Sequence, residues 1–228
     1  MDVGNAIADL AAVIGEPVRL MMLWSLMDGR ARPAGELAFH ANVSAQSAST
    51  HLAKLLRAGM LTVEPQGKRR YYRLSGPDVA HTVEAMIALA NPMKLSSRIP
   101  PGQSPALKFA RTCYDHMAGT LAVEIYREMQ KRRLLISSER NLALTDDGKQ
   151  WLNRLGIDTD TLRQNRRAFA LQCLDWSERH HHLAGALGAG LLSRMIALGW
   201  VAPANSGRVL RVTIEGRKEL HSLLDLNV

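Results

Sequence analysis

The stretch "NVSAQSASTHLAKLLRAGMLTVEPQGKRRYYRL", residues 42–74, decides how the first half of the chain folds. Ser44 is placed to cap a helix by accepting a bond from one of its unpaired leading amides. The helix it opens runs to about Ala58, and Gly59 ends it. On a wheel of about 100° per residue, Ala48, Leu52, Leu55 and Leu56 share one face. Gln46, Thr50, Lys54 and Arg57 point the other way, with Ser47 beside them. "MLTVE" and "RRYYRL" then read as two strands around the turn "PQGK". One face of the helix can rest on a core while the other carries hydroxyls, an amide and positive charge.

Working outward, Ile7, Leu10, Ala11 and Ile14 predict a helix over residues 5–14, stopped by Gly15. Pro17 suits the first turn of a second helix, with Leu20, Leu23, Trp24 and Met27 as its apolar stripe. "PAGELAFH", 33–40, reads as a short third helix, and "GPDVAHTVEAMIALA" as one beyond the hairpin. The order is therefore helix-turn-helix followed by a wing. Residues 54–73 hold six basic side chains against Glu64 alone, although the first 95 residues are nearly balanced. A polar helix fits the DNA major groove, where amides and hydroxyls read base edges, and a basic hairpin suits phosphates or the minor groove. The residues assigned to DNA are Ser44, Gln46, Ser47, Thr50, His51, Lys54 and Arg57 on the helix and Lys68, Arg69 and Arg70 on the hairpin. The plainer readings are a solvated helix face and a charge-blunted edge strand. Occurring together after a helix-turn-helix, the two features favour DNA.

"AVIGEPVRLMMLWSLMDG", "GELAFHANVSAQSASTHLAKLLRAGML" and "GKRRYYRL" together resemble the ArsR/SmtB family of winged-helix transcriptional repressors, over roughly residues 5–90. The resemblance implies a homodimer, paired through the first helix and the helix near 77–90. It also implies an inverted-repeat operator on double-stranded DNA and repression relieved by a signal. Family members that sense metals through cysteines do so on the helix before the recognition helix, and "PAGELAFHANV" has no thiol. A second family site uses Asp, His and Glu on the dimer helix. Asp78, His81 and Glu84 are present here without a second histidine, so neither familiar site is intact.

"NPMKLSSRIPPGQSPA", 91–106, is rich in Pro and Ser and reads as a linker. The expected organisation is a winged-helix domain over 1–91, a linker over 92–106 and a sensor domain over 107–228. The fold class is mainly α (α+β), the second domain being two related helix/strand units over about 107–155 and 167–224. Cys113 and Asp115 match Cys173 and Asp175. "HMAG" from His116 matches "HLAG" from His182 after a six-residue insertion. Thr145, Gly148 and Leu152 match Thr213, Gly216 and Leu220. Ala118, Gly119, Ala184, Gly185, Gly188 and Gly190 read as close helix packing.

Cys113, Tyr114, Asp115, His116, Cys173, Asp175, Trp176 and His182 form the candidate effector site. Three chemistries fit it. Cys113, His116, Cys173 and His182 have the donor types of a soft divalent metal site. The thiols suit reaction with an oxidant or electrophile. Trp176 and Tyr114, with Arg111 or Arg179, suit a small organic ligand. The plainer reading is no cofactor at all, with the cysteines and glycines simply packing the units together. An enzyme using Cys113 or Cys173 as nucleophile is the rival from another class, but no phosphate loop, paired carboxylates or nucleophile elbow accompany it, so no catalytic residue is assigned. A winged helix kept only for protein interaction is a third reading, opposed by the basic wing.

The 228 residues carry a formal net charge of +8, which favours a polyanionic partner. Two cysteines make no disulfide framework, and no apolar run approaches a membrane span. The N-terminus lacks the basic start of a secretory signal, so a cytoplasmic protein without a membrane partner is expected.

Overall fold

The computed structural model describes residues 2–67, 69–89, 104–138, 141–204 and 207–228. The chain divides into two compact units, Met1–Ser104 and Pro105–Val228. Most of the expected linker lies outside the described residues, and its last two positions already belong to a helix that starts at Pro105.

The first unit runs α1 (Val3–Ile14), α2 (Pro17–Ser25), β1 (Arg32–Pro33), α3 (Ala34–His40), α4 (Ala45–Arg57), β2 (Leu61–Gln66), β3 (Arg69–Leu74) and α5 (Pro77–Leu89). Pro17 sits at the start of α2, where its missing N–H costs nothing. The buried Arg19 guanidinium donates to Ala12 O (2.8 Å) and Val13 O (2.6 Å), satisfying carbonyls at the end of α1. Met22, Leu23, Leu26, Met27 and Leu37 form the core with Ala48, Leu52 and Leu55 of α4. Burying each leucine contributes about 1.5–3 kcal/mol, which fixes the rotation of α4 about its axis. The three-stranded sheet has the order β1-β3-β2. Its wing pairs Leu61 with Leu74 through to Gln66 with Arg69. Pro65 is tolerated because β2 is an edge strand. Strand β1, pairing Arg32 with Tyr72, was not expected from the sequence.

The second unit repeats one element order twice. The first half is α6 (Pro105–Phe109), β4 (Arg111–Cys113), β5 (His116–Ala118), α7 (Thr120–Lys131), β6 (Leu135–Ser138), β7 (Asn141–Leu144) and α8 (Asp146–Arg154). After α9 (Thr159–Arg163), the second half is β8 (Leu171–Leu174), β9 (His181–Ala184), α10 (Gly185–Ala197), β10 (Val201–Pro203), β11 (Leu210–Val212) and α11 (Ile214–Leu224). Helix α7 packs on β9 and α10 packs on β5, so each half covers the other's hairpin. Leu121, Ile125 and Met129 of α7 meet Leu187, Leu191 and Met195 of α10 in a shared core.

Local geometry repeats as well. Thr145 Oγ1 accepts from Gly148 N (3.0 Å) and donates to Arg133 O (2.9 Å). Thr213 Oγ1 accepts from Gly216 N (2.9 Å) and donates to Gly199 O (2.7 Å). The reading of Ala118, Gly119, Ala184 and Gly185 as helix packing is corrected here. The alanines end strands, and the glycines turn the chain from hairpin into helix. Gly119 has φ +93° with its missing Cβ aimed at Lys108 O and Phe109 O; Gly185 has φ +79° and faces Ala168 O and Phe169 O. Gly188 and Gly190 are indeed close contacts, against Leu183 O and the Leu162 side chain. Among the described residues no helix is long and apolar enough to cross a membrane.

Candidate functional site: a polar helix with its wing, and a cysteine–histidine cluster

Helix α4 starts where Ser44 Oγ accepts from Ser47 N at 3.2 Å, so the Ser44 side chain is engaged as the cap. Asn42 adopts φ +53° in the preceding turn, a conformation its short polar side chain tolerates. At the other end Gly59, φ +70°, lets Met60 N return to Leu55 O at 3.0 Å. With Ala48, Leu52 and Leu55 buried, Gln46, Thr50, Lys54 and Arg57 are exposed and Ser47 is half-buried. Lys54 and Arg57 lie in the last turns, where positive charge complements the helix dipole. His51 does not share the open face. It is half-buried, with Nδ1 3.2 Å from Glu16 Oε2, near enough to pair when protonated but without hydrogen-bond alignment.

Arg69 and Arg70 are exposed on the wing, and the Arg70 guanidinium lies 5.9 Å from the Tyr72 ring centroid. Arg73 spends its charge locally, 3.2 Å from Glu64. Lys68 lies outside the described residues. On α5, Asp78 and His81 are exposed and Glu84 is buried, with the ligand atoms of His81 and Glu84 within 4.8 Å of one another. On α1, Val3, Ile7 and Leu10 form an exposed apolar stripe, 72%, 62% and 40% accessible.

In the second unit, the hairpin register sets Cys113 opposite His116 and Cys173 opposite His182. The ligand atoms of these four side chains all lie within 4.8 Å of one another. His116, His182 and Cys113 are buried and Cys173 is half-buried. The two Nε2 atoms face each other at 3.1 Å. His116 Nδ1 is 3.4 Å from Asp115 Oδ1, and His182 Nδ1 is 3.4 Å from Asp175 Oδ2, the latter off the hydrogen-bond line.

The two carboxylates are in turn held by arginines. Arg167 pairs with Asp115 at the surface. Burial would raise the Asp115 pKa, but the Arg167 bond and charge, with His116, bring it below the usual carboxylate range. Asp175 is almost fully buried and accepts from Arg111 Nη2 (2.9 and 3.0 Å), Gly119 N (2.7 Å), Ser177 Oγ (2.7 Å) and Ser177 N (2.9 Å). Burial pushes its pKa up; the Arg111 charge and these bonds outweigh that and hold it at about 2.

The other predicted effector residues fall elsewhere. Tyr114 is half-exposed at the tip of the first hairpin, with φ +58°. Trp176 is buried under the Arg111 guanidinium, 4.6 Å from the ring centroid, so it is not presented as a stacking surface. Arg111, which by sequence suits an organic ligand, is committed to Asp175 instead. Sequence reasoning missed that pair, because an arginine in a short strand carries no sign of being buried.

Comparison with known proteins gives a match within the first unit and one along nearly the whole chain. Residues 14–64 match a family model described as a helix-turn-helix domain. The chain is 41% identical over 222 residues to the uncharacterized HTH-type transcriptional regulator YdfF of Bacillus subtilis (strain 168), covering 97% of this chain and 98% of that one. Among solved structures, it is similar to the transcriptional repressor BigR from Xylella fastidiosa (27% identity, 39% of this chain and 89% of that one, TM-score 0.36). It is also similar to reduced HlyU from Vibrio cholerae N16961 (26% identity, 38% and 90%, TM-score 0.35).

Proposed function

We propose that this chain, which belongs to the HTH-type transcriptional regulators, is a homodimeric repressor that lays α4 in the major groove of an inverted-repeat operator. A chemical signal received by the C-terminal unit releases it. The observation that carries the DNA contact is the division of α4: Ala48, Leu52 and Leu55 anchor one face while Gln46, Thr50, Lys54 and Arg57 stand open on the other. The open face has the groups that read base edges, and the neighbouring Arg69 and Arg70 suit phosphate or minor-groove contact. Ser44 serves this arrangement through its cap, and His51 through its place beside Glu16, more than by direct contact. Lys68 belongs to the same basic turn in sequence. The exposed Val3, Ile7 and Leu10 of α1 support a second copy as partner, in line with the ArsR/SmtB resemblance of the sequence. A regulator responds only to a ligand that favours one of its states over the other. A second unit of 124 residues gives such a ligand a place to bind. Footprinting on the DNA upstream of the protein's own coding sequence tests the reading. Two protected half-sites of inverted sequence, about 10 base pairs or a multiple apart, are expected. A single unpaired half-site, or protection without sequence preference, would contradict it.

A further inference from the structure

The DNA-binding reading makes no use of the cysteine–histidine cluster of the C-terminal unit. We propose that Cys113, His116, Cys173 and His182 are the four ligands of a tetrahedral site for one soft divalent cation, zinc by its donor set, and that the ion pins the two halves of the unit together. This stands independently of the DNA-binding reading.

The donor set comes first. Two thiols and two imidazoles make the S2N2 combination that soft tetrahedral cations prefer over oxygen-seeking ones. Their ligand atoms already lie within 4.8 Å of one another. In a tetrahedral site with zinc–nitrogen bonds of about 2.0–2.1 Å, the two nitrogens are about 3.3 Å apart. The two Nε2 atoms here are 3.1 Å apart.

The orientation of the histidines is the second observation. His116 Nδ1 is within hydrogen-bond range of Asp115 at 3.4 Å, and His182 Nδ1 has Asp175 3.4 Å away but off the hydrogen-bond line. A carboxylate behind an imidazole favours the proton on Nδ1, which leaves the Nε2 lone pair as the ligand. Both lone pairs then face one point, where they repel unless something positive lies between them. A shared proton would satisfy the nitrogens alone. It would not account for two thiols converging on the same point.

Charge and symmetry complete the case. Two thiolates cancel the charge of a divalent ion, and Asp115 and Asp175 are each matched by an arginine, Arg167 and Arg111. No net charge is left to be buried. Each half gives the same pair from the same hairpin register, a cysteine facing a histidine across the strands. Four protein donors close the coordination shell, which is the form of a structural site, with no position open for a substrate.

The test uses the full chain, purified reduced. Elemental analysis should find one zinc per chain. Cobalt(II) exchanged into the protein should give the intense visible bands of tetrahedral cobalt and a thiolate charge-transfer band in the near ultraviolet. Cys173→Ser, at the half-exposed position, should weaken that band by about half, and Asp115→Asn should lower metal affinity by about 10–100-fold. Removing the metal with a chelator should lower the melting temperature of the second unit. The wild-type cobalt spectrum decides the matter even if a variant folds poorly. Absence of stoichiometric metal, a weak octahedral cobalt spectrum, or full zinc occupancy in Cys113→Ser/Cys173→Ser would each overturn the proposal.

Discussion

Replacing Asp175 with asparagine removes one charge from the most buried ion pair described, and the structure allows the cost to be worked out. Arg111 and Asp175 are 0% and 1% exposed. The carboxylate pKa is held at about 2 against its ordinary 3.8, and at about 1.4 kcal/mol per pH unit that difference is worth about 2.5 kcal/mol. Leaving the Arg111 guanidinium buried without its counter-charge costs about 3–5 kcal/mol in comparable pairs. Asparagine keeps one acceptor for Gly119 N and Ser177, so Asp175→Asn should cost about 3 kcal/mol. Urea unfolding followed by tryptophan fluorescence measures it, since Trp151, Trp176 and Trp200 all lie in the second unit. The midpoint should fall by about 1–2 M. Asp175→Leu with Arg111→Met should recover much of the loss, because matched apolar groups replace the pair without stranding a charge. The same logic sets the acid limit. The folded pKa lies below the unfolded one, so the contribution is fully present above about pH 4 and fades as pH falls toward 2. A cost under about 0.5 kcal/mol, or a double variant no better than the single one, would refute the reasoning.

The remaining predictions concern the wing, the dimer and the backbone. Arg69→Ala/Arg70→Ala should weaken binding to every DNA sequence alike and flatten the salt dependence by about two phosphate contacts, read as the slope of log K against log salt. Ile7→Glu, in the exposed stripe of α1, should shift the protein from dimer to monomer in analytical ultracentrifugation while leaving its circular dichroism unchanged. Gly119→Ala should destabilise the second unit by more than about 2 kcal/mol, because the new methyl would lie 2.4 Å from Lys108 O at φ +93°. Gly59→Ala has open space around it and should cost only about 1 kcal/mol, the strain of its φ of +70°. Thermal melts of the two variants check the contrast.

How much of this was legible in the sequence depends on how strongly each element announces itself. Helix α4 could be placed and rotated from Ser44, Gly59 and the 3.6-residue spacing of Ala48, Leu52 and Leu55, because capping and amphipathicity are local signals. The two-residue strand β1 had no such signal, since its pairing with Tyr71 and Tyr72 exists only once the wing has folded. The hairpins at 111–118 and 171–184 were hidden for another reason. Their strands are three or four residues long and too short for period-2 alternation to stand out. The matched glycines that end them resembled helix-packing residues. The matching of the two halves did put Cys113, His116, Cys173 and His182 in one list. Their meeting point comes from hairpin register and the approach of β5 to β9, which no local pattern encodes. The use of Arg111 inside the unit, and of Trp176 beneath it, likewise follows from packing alone.

The central claim is that the open face of α4 reads DNA, and one binding measurement tests it most directly. On the native promoter, Thr50→Ala/Lys54→Ala should lose about 2–4 kcal/mol of specific binding, a fall of about 30- to 1,000-fold in affinity. Dimer mass and thermal stability should stay as in the unaltered protein, because both side chains are exposed. Promoter affinity within about twofold of the original, in a variant of unchanged fold, would contradict the claim.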